Sequence, residues 1–243
     1  GAYVCTVTFT DTAGNAAGAL SLTSFTLDTT APTISTVVFA SGDYVNNAED
    51  ESAIDLVITM SDTSADGRVA TATLNSADYT CTISSNACTA SITSAGLKDL
   101  TDGTSYSFSV AISDAAGNAA TAHTSESFIY DITVAAASES TAVTTPTKDT
   151  TPDAIISVAE AGTITVAGTT GCALSSTSSM SSGTNTITLG AIGTGDGAYV
   201  CTVTFTDTAS NAAASLSLTS FTLDTTAPTI STVALATGDY VNN

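Results

Sequence analysis

Apolar and polar residues alternate along much of this chain with a period of two. Tyr106, Phe108, Val110 and Ile112 are separated by small or polar residues; the alternation breaks at Asp114-Ala115-Ala116-Gly117-Asn118, and a further strand ends at Phe128-Ile129-Tyr130-Asp131. The same grammar returns at Tyr199, Cys201, Val203 and Phe205, followed by Asp207-Thr208-Ala209-Ser210-Asn211 and a strand ending at Phe221-Thr222-Leu223-Asp224. Successive side chains of a strand point to opposite faces, so each named set predicts one buried face. Each segment reads as the last two strands of a β-sandwich. Tyr106 follows the turn 100–105, and Tyr199 follows Gly195-Asp196-Gly197. A tyrosine at the head of such a strand is expected to bond its hydroxyl back to the preceding backbone.

The end of the chain repeats its beginning. Residues 197–243 match 1–47 at a constant offset of 196 without insertion or deletion. The differing pairs are Gly14 and Ser210, Gly18 and Ala214, Ala19 and Ser215, Val38 and Ala234, Phe39 and Leu235, and Ser41 and Thr237. Drift that small implies recent duplication, and the shared phase of the two ends reads as a window from a longer array. The period suits two sandwiches of roughly 100 residues each. The first complete module is expected over 29–131, with strands at 34–40, 53–60 and 69–74 and a short hairpin whose turn, 82–87, lies between Cys81 and Cys88. The second is expected over 132–224. It enters through 138–145, turns at 146–152 and continues with strands at 154–159, 162–167 and 185–192. Residues 1–28 supply the last hairpin of a preceding module, and 225–243 the start of a following one.

Composition narrows the setting. The chain has 23 acidic residues against Arg68, Lys98 and Lys148, a formal charge of −20. That field repels phosphate backbones and anionic lipid, so nucleic-acid and membrane-surface partners are excluded, whereas divalent cations are concentrated. Thr, Val, Ala and Ser dominate, Trp is absent, and strands are favoured over surface helices. No apolar run reaches the roughly 20 residues a membrane span needs. Cys81 and Cys88 are predicted to pair, as are Cys172 and Cys201. Cys5 is the counterpart of Cys201, so its partner belongs before residue 1 and it is expected to be unpaired here. Disulfides imply an oxidising, extracellular location.

The phrases Thr10-Asp11-Thr12-Ala13-Gly14-Asn15, Leu27-Asp28-Thr29-Thr30-Ala31-Pro32, Thr151-Pro152-Asp153 and Glu160-Ala161-Gly162-Thr163-Ile164-Thr165 resemble the Ig-like tandem repeats of giant bacterial and archaeal surface proteins and adhesins. Together they recur across the chain in fixed order. The resemblance implies an all-β fold of tandem immunoglobulin-like (fibronectin-III-like) β-sandwiches in a linear array. Two departures stand out: Ser210 replaces the turn glycine, and Tyr130-Asp131-Ile132-Thr133-Val134 lacks the junction proline.

Catalytic chemistry finds little support. The single histidine, His123, lies in a predicted last strand without a nucleophile nearby. Glu49-Asp50-Glu51 lacks the facing carboxylates across a cleft that glycoside hydrolysis requires. Metal binding is the sharper expectation. In such a sandwich the loop after the second strand and the loop of the last hairpin lie at the pole where the chain enters. This arrangement directs Asp28 towards Asp62, Asp66, Asp114 and Asn118, and Asp131 towards Asp207 and Asn211, with Glu160 contributing. Oxygen ligands from several loops suit Ca²⁺, and a bound ion would link modules and cancel charge. Pro32 and Pro228 would stiffen the linkers.

The expected function is that of a structural or adhesive extracellular repeat protein, a stalk or fibre at the cell surface whose partners are neighbouring modules. A self-assembling surface layer, sheath or filament with lateral self-association is the first alternative. A carbohydrate-binding module is the second, and it would need aromatic rings clustered on one exposed face. No enzyme activity is expected.

Overall fold

The computed structural model describes residues 1–168, 171–190, 192 and 195–233. The chain divides into two compact units, Gly1–Thr133 and Val134–Asn243. Apart from a 3-10 turn at Thr63–Ala65 and one short helix, α1 (Ser94–Lys98), the regular structure of the described residues is strand.

The first unit begins with β1 (Ala2–Tyr3), β2 (Thr6–Val7), β3 (Leu20–Ser21) and β4 (Phe25–Thr26), in which β1 pairs with β4 and β2 with β3. A complete sandwich follows. It comprises β5 (Ile34–Phe39), β6 (Tyr44–Val45), β7 (Ile54–Met60), β8 (Val69–Leu74), β9 (Ala77–Thr82), β10 (Ala87–Ile92), β11 (Thr104–Tyr106), β12 (Ser109–Ala111), β13 (His123–Thr124) and β14 (Phe128–Tyr130). One sheet has the order β10-β7-β5, and the other β13-β12-β8-β9. The short β6 runs parallel to β14, which also pairs with β11. Residues from both sheets meet in one core: Val37, Phe39, Leu56, Ile58 and Met60 from the first, and Ala70, Ala72, Leu74, Phe108 and Val110 from the second. Phe39 packs its ring 5.0 Å from Phe108 and 4.8 Å from Phe128. The alternation that predicted a buried face is therefore the inner face of one sheet, with Phe108, Val110 and Ile112 all buried.

The expected hairpin around Cys81 and Cys88 is not one. β9 pairs with β8, while β10 pairs with β7 in the opposite sheet. The chain crosses between sheets through 83–86, and the Cys81–Cys88 disulfide ties the two layers together at that corner. Cross-linking two sheets restricts the unfolded chain in the same way as closing a hairpin, but it also fixes the spacing of the layers.

A buried polar pair holds the far edge of this sandwich. The Tyr130 hydroxyl donates to Asp50 Oδ2 at 2.7 Å, and both residues are buried. Burial, then the hydrogen bond to Asp50, pushes the phenol well above its ordinary pKa, so it stays a donor. At the predicted corner, Thr101 N donates to the Tyr106 hydroxyl at 2.9 Å.

The second unit repeats the plan with β15 (Ser138–Thr141), β16 (Asp153–Val158), β17 (Gly162–Gly168), β18 (Ser179–Met180), β19 (Gly183–Thr188), β20 (Gly197–Tyr199), β21 (Cys201–Asp207), β22 (Leu216–Ser217) and β23 (Phe221–Leu223). Its sheets run β15-β16-β19 and β18-β17-β21-β22, with β20 paired to β23. Ala154, Ile156 and Ile187 of one sheet face Ile164, Val203 and Phe205 of the other. Cys172 and Cys201 form the second disulfide. The glycine of the Glu160-Ala161-Gly162 phrase has a local cause: a Cβ at Gly162 would overlap the Thr206 carbonyl and the Phe205 ring. The start of the expected following strand, from 234 onward, lies outside the described residues.

Replacing Tyr130 with Phe leaves the Asp50 carboxylate buried without its donor, and the expected cost is about 1–3 kcal/mol in urea unfolding. Tyr106→Phe removes a bond at a half-buried hydroxyl and should cost less. Equal losses would contradict the role given to the buried pair.

Candidate functional site

Three aspartates occupy the same position in three last-hairpin loops, and in each the side chain organises its own loop. Asp114 Oδ1 accepts from Ala116 N and Asn118 N, both at 2.9 Å, while Oδ2 accepts from Asn118 Nδ2 at 2.9 Å. Asp11 does the same with Ala13 N, Asn15 N and Asn15 Nδ2 at 3.0, 2.8 and 3.0 Å. Asp207 accepts from Asn211 N at 2.8 Å and Asn211 Nδ2 at 2.9 Å. The side-chain bond from the asparagine is the main reason that Asp11 and Asp114 titrate below the ordinary carboxylate range. The loop demands a left-handed residue before the asparagine, with φ of 88° at Gly14 and 93° at Gly117. Ser210 adopts φ 75° there, so the turn survives the loss of its glycine at the cost of unfavourable backbone sterics.

The remaining predicted ligands serve local turns as well. Asp28 Oδ1 accepts from Thr30 N at 3.1 Å, and its carbonyl accepts from Asn118 Nδ2 at 3.1 Å. Asp62 caps the 3-10 turn by accepting from Ser64 N at 2.8 Å, and the hydrogen bonds from the Ser64 side chain and then its backbone N–H lower the Asp62 pKa. Asp66 accepts from Ser85 N and Asn86 N at 3.2 and 3.0 Å, fastening its loop to the crossing beside the disulfide. The structure thus joins Asp28, Asn118 and Asp114 through the Asn118 amide. Among the described residues, however, no three carboxylate oxygens of Asp28, Asp62, Asp66 and Asp114 lie within 4.8 Å of one another. Asp131 N donates to Val45 O at 2.9 Å within the first unit, and Glu160 Oε1 accepts from Ala135 N at 2.7 Å within the second.

Two aspartates that the pattern of loops did not single out hold the chain as it leaves each sandwich. Asp102 Oδ1 accepts from Ile132 N at 2.8 Å, and Oδ2 from Thr133 Oγ1 at 2.7 Å. Asp196 Oδ1 accepts from both the N and Oγ1 of Thr225 at 2.7 Å, and Oδ2 accepts from Thr226 Oγ1. The hydrogen bonds from Thr226 and Thr225 depress the Asp196 carboxyl to about 2, and those from Ile132 and Thr133 lower Asp102. A recurring Asp-Gly step just before each corner tyrosine was the available signal. Tyr199 donates its hydroxyl to Gly195 O at 3.0 Å beside this clamp.

The described surface offers little for catalysis or sugar stacking. A cavity of about 440 Å³ is lined by Arg68, Thr71, Ile112 and Ser113 together with glycine, valine and alanine, and it carries no aromatic ring. His123 is half-buried opposite Val110. Among the described residues the exposed aromatic rings are Tyr3, Phe9 and Phe25, all within 1–28. No helix among them is long and apolar enough to cross a membrane. Cys5 is exposed and unpaired.

Residues 1–134 match the family profile described as a bacterial Ig-like domain (group 3). Solved structures similar to the chain include a 1.5-MDa bacterial ice-binding adhesin, 20% identical over 91% of this chain and 73% of that one, with a TM-score of 0.46. Fibronectin(III)-like modules of Clostridium thermocellum CbhA are 10% identical over 77% and 94%, with a TM-score of 0.44. Chicken CNTN1 FN1–FN3 domains are 12% identical over 89% and 74%, with a TM-score of 0.37. A search of curated proteins found no match.

Because the folded Asp196 carboxyl lies at about 2, below its ordinary value of 3.8, its contribution is complete above the ordinary value and disappears as pH falls through the folded one. Carboxyl chemical shifts should show Asp196 titrating near pH 2, with the Thr225 and Thr226 signals moving in the same step. Titration at the ordinary carboxylate value would contradict the clamp.

Proposed function

Given that the chain belongs to the bacterial Ig-like domain family, group 3, we propose that it is a structural and adhesive surface protein, a stalk whose sandwiches project a binding region away from a cell. The observation that carries this reading is the near-identity of 1–47 and 197–243. Sequence is kept over whole strands and loops alike, as expected where each copy must present the same core and the same junction. The exit clamps at Asp102 and Asp196 suit a load-bearing linker, since each ties the departing chain to the sandwich it has just left. The excess of negative charge disfavours collapse of neighbouring copies onto one another.

An ordered surface layer or filament is the second reading, favoured by the same near-identity, because equivalent surfaces permit regular packing. Electron microscopy of the native material separates them. Isolated threads support the stalk, whereas ordered tubes or sheets overturn it in favour of lateral assembly.

Calcium enters the proposal as a ligand of the acidic loops. Metal analysis of the native protein, with melting in the presence and absence of a chelator, decides it. Bound Ca²⁺ and a fall in Tm on chelation are expected if the ion contributes by mass action. No bound metal and an unchanged Tm would assign Asp28, Asp62, Asp66 and Asp114 to turn formation alone.

A further inference from the structure

An early segment and the final strand of each sandwich are bonded directly to one another, and the two run parallel. In the first sandwich Tyr44 and Val45 of β6 lie opposite Ile129 and Tyr130 of β14. Ile129 N donates to Asp43 O at 2.8 Å, and Asp131 N to Val45 O at 2.9 Å. In the second, Thr147 pairs in parallel with Leu223 at the end of β23. Thr147 N donates to Thr222 O at 2.9 Å, Asp224 N to Thr147 O at 2.8 Å, and Thr222 N to Thr145 Oγ1 at 2.9 Å. Glu139 Oε2 ties the same two stretches again by accepting from Thr219 N and Oγ1 at 2.8 and 2.7 Å.

Parallel pairing decides how such a contact meets tension. Pulling the chain on either side of a sandwich draws the early segment towards its N-terminal end and the final strand towards its C-terminal end, so the two slide past one another along their own axes. Every bond between them is then loaded at once, whereas an antiparallel hairpin pulled at its open end parts one bond at a time. Each bond adds little to equilibrium stability, because water replaces it on unfolding. Simultaneous rupture instead raises the barrier to unfolding, and that barrier governs a chain under force. β5 and β15 lie ahead of these contacts and are paired with β7 and β16. The chain is therefore drawn out only after both the leading strand and the parallel contact have yielded.

We propose that these parallel contacts are shear clamps that make each sandwich resist stretching along the chain, and that the two disulfides set how far it lengthens once its clamp has failed. Residues between bridged cysteines stay out of the stretched path. Cys81 and Cys88 are 7 residues apart with a Cα separation of 5.7 Å, and Cys172 and Cys201 are 29 residues apart with a Cα separation of 5.6 Å. At ~3.5 Å per extended residue, the bridges hold back about 20 Å in the first sandwich and about 95 Å in the second. The use of this resistance rests on the stalk reading, but the resistance itself belongs to each sandwich. Ordered sheets in electron microscopy would overturn that reading and leave the clamps standing.

The test is single-molecule stretching of the full chain, held by peptide tags at its two ends, with the disulfides intact and then reduced by dithiothreitol. Two abrupt ruptures are expected, and reduction should lengthen one by about 20 Å and the other by about 95 Å, which assigns each to its sandwich. Asp224 is exposed; Asp224→Pro removes the N–H that bonds Thr147 O, and Asp224→Ala keeps it. The proline variant should lower the rupture force of the second sandwich alone, and the alanine variant should lower neither. Thr145→Val deletes the acceptor for Thr222 N while keeping the side chain's shape. It should lower the same force by less, and it decides the question if Asp224→Pro does not fold. Ile187→Val, in the core away from the clamp, should weaken the sandwich in urea yet lower its rupture force less than Thr145→Val does. A native chain that lengthens gradually, a Thr145→Val force equal to the native one, or rupture forces that simply follow urea stability across the variants would each overturn the assignment.

Discussion

A β-hairpin with one apolar face gains its stability from whatever covers that face, and the rest of this molecule follows from that dependence. Backbone pairing alone leaves Tyr3, Val7, Phe9 and Phe25 in water, although their register is that of a finished sandwich. Covering the same side chains in the second unit removes Tyr199, Val203, Phe205 and Phe221 from solvent. Burial of a large apolar side chain contributes about 1.5–3 kcal/mol, so four such positions outweigh any single hydrogen bond in the hairpin. The module is consequently defined by its two facing sheets and not by the hairpin that the sequence displays most plainly.

Polar groups then fix geometry where apolar burial is indifferent to it. Each last-hairpin aspartate gathers backbone and asparagine donors around one carboxylate, which sets the loop. The corner tyrosines pin the turn before the penultimate strand. Asp102 and Asp196 reach from those turns to the departing linker. A chain with so few basic residues cannot satisfy its carboxylates with salt bridges, and Lys98–Glu51 is the one ion pair among the described residues. Backbone N–H groups and threonine hydroxyls take that role instead, which accounts for aspartate and threonine recurring together at the junctions.

Much of the sandwich was legible from sequence because inner-face alternation is a direct consequence of strand geometry: Phe108, Val110, Val203 and Phe205 all lie inside. The Cys81–Cys88 crossing was not, since two strands close in sequence can pair with each other or with opposite sheets, and alternation is the same in both cases. The helix α1 escaped for a related reason. Its apolar anchor, Leu97, is a single buried residue, too short a signal for any period. Among the site residues, sequence located the turn-forming aspartates but not which donors they face. Asp28 and Asp114 meet only through Asn118, whereas Asp102 and Asp196, unremarkable in the pattern, bind linker groups about 30 residues away. Long-range partners of short side chains depend on the closed sandwich, which no local window contains.

Native-state hydrogen exchange of the full chain tests the central claim most directly, because two stretches of nearly identical sequence and identical pairing act as each other's control. If the covering sheet provides the stability, amides paired in β20–β23 should open only with the cooperative unfolding of their sandwich, and their counterparts in β1–β4 should exchange orders of magnitude faster. Equal protection of the two hairpins would contradict the account, since it would place the stability in the hairpin itself.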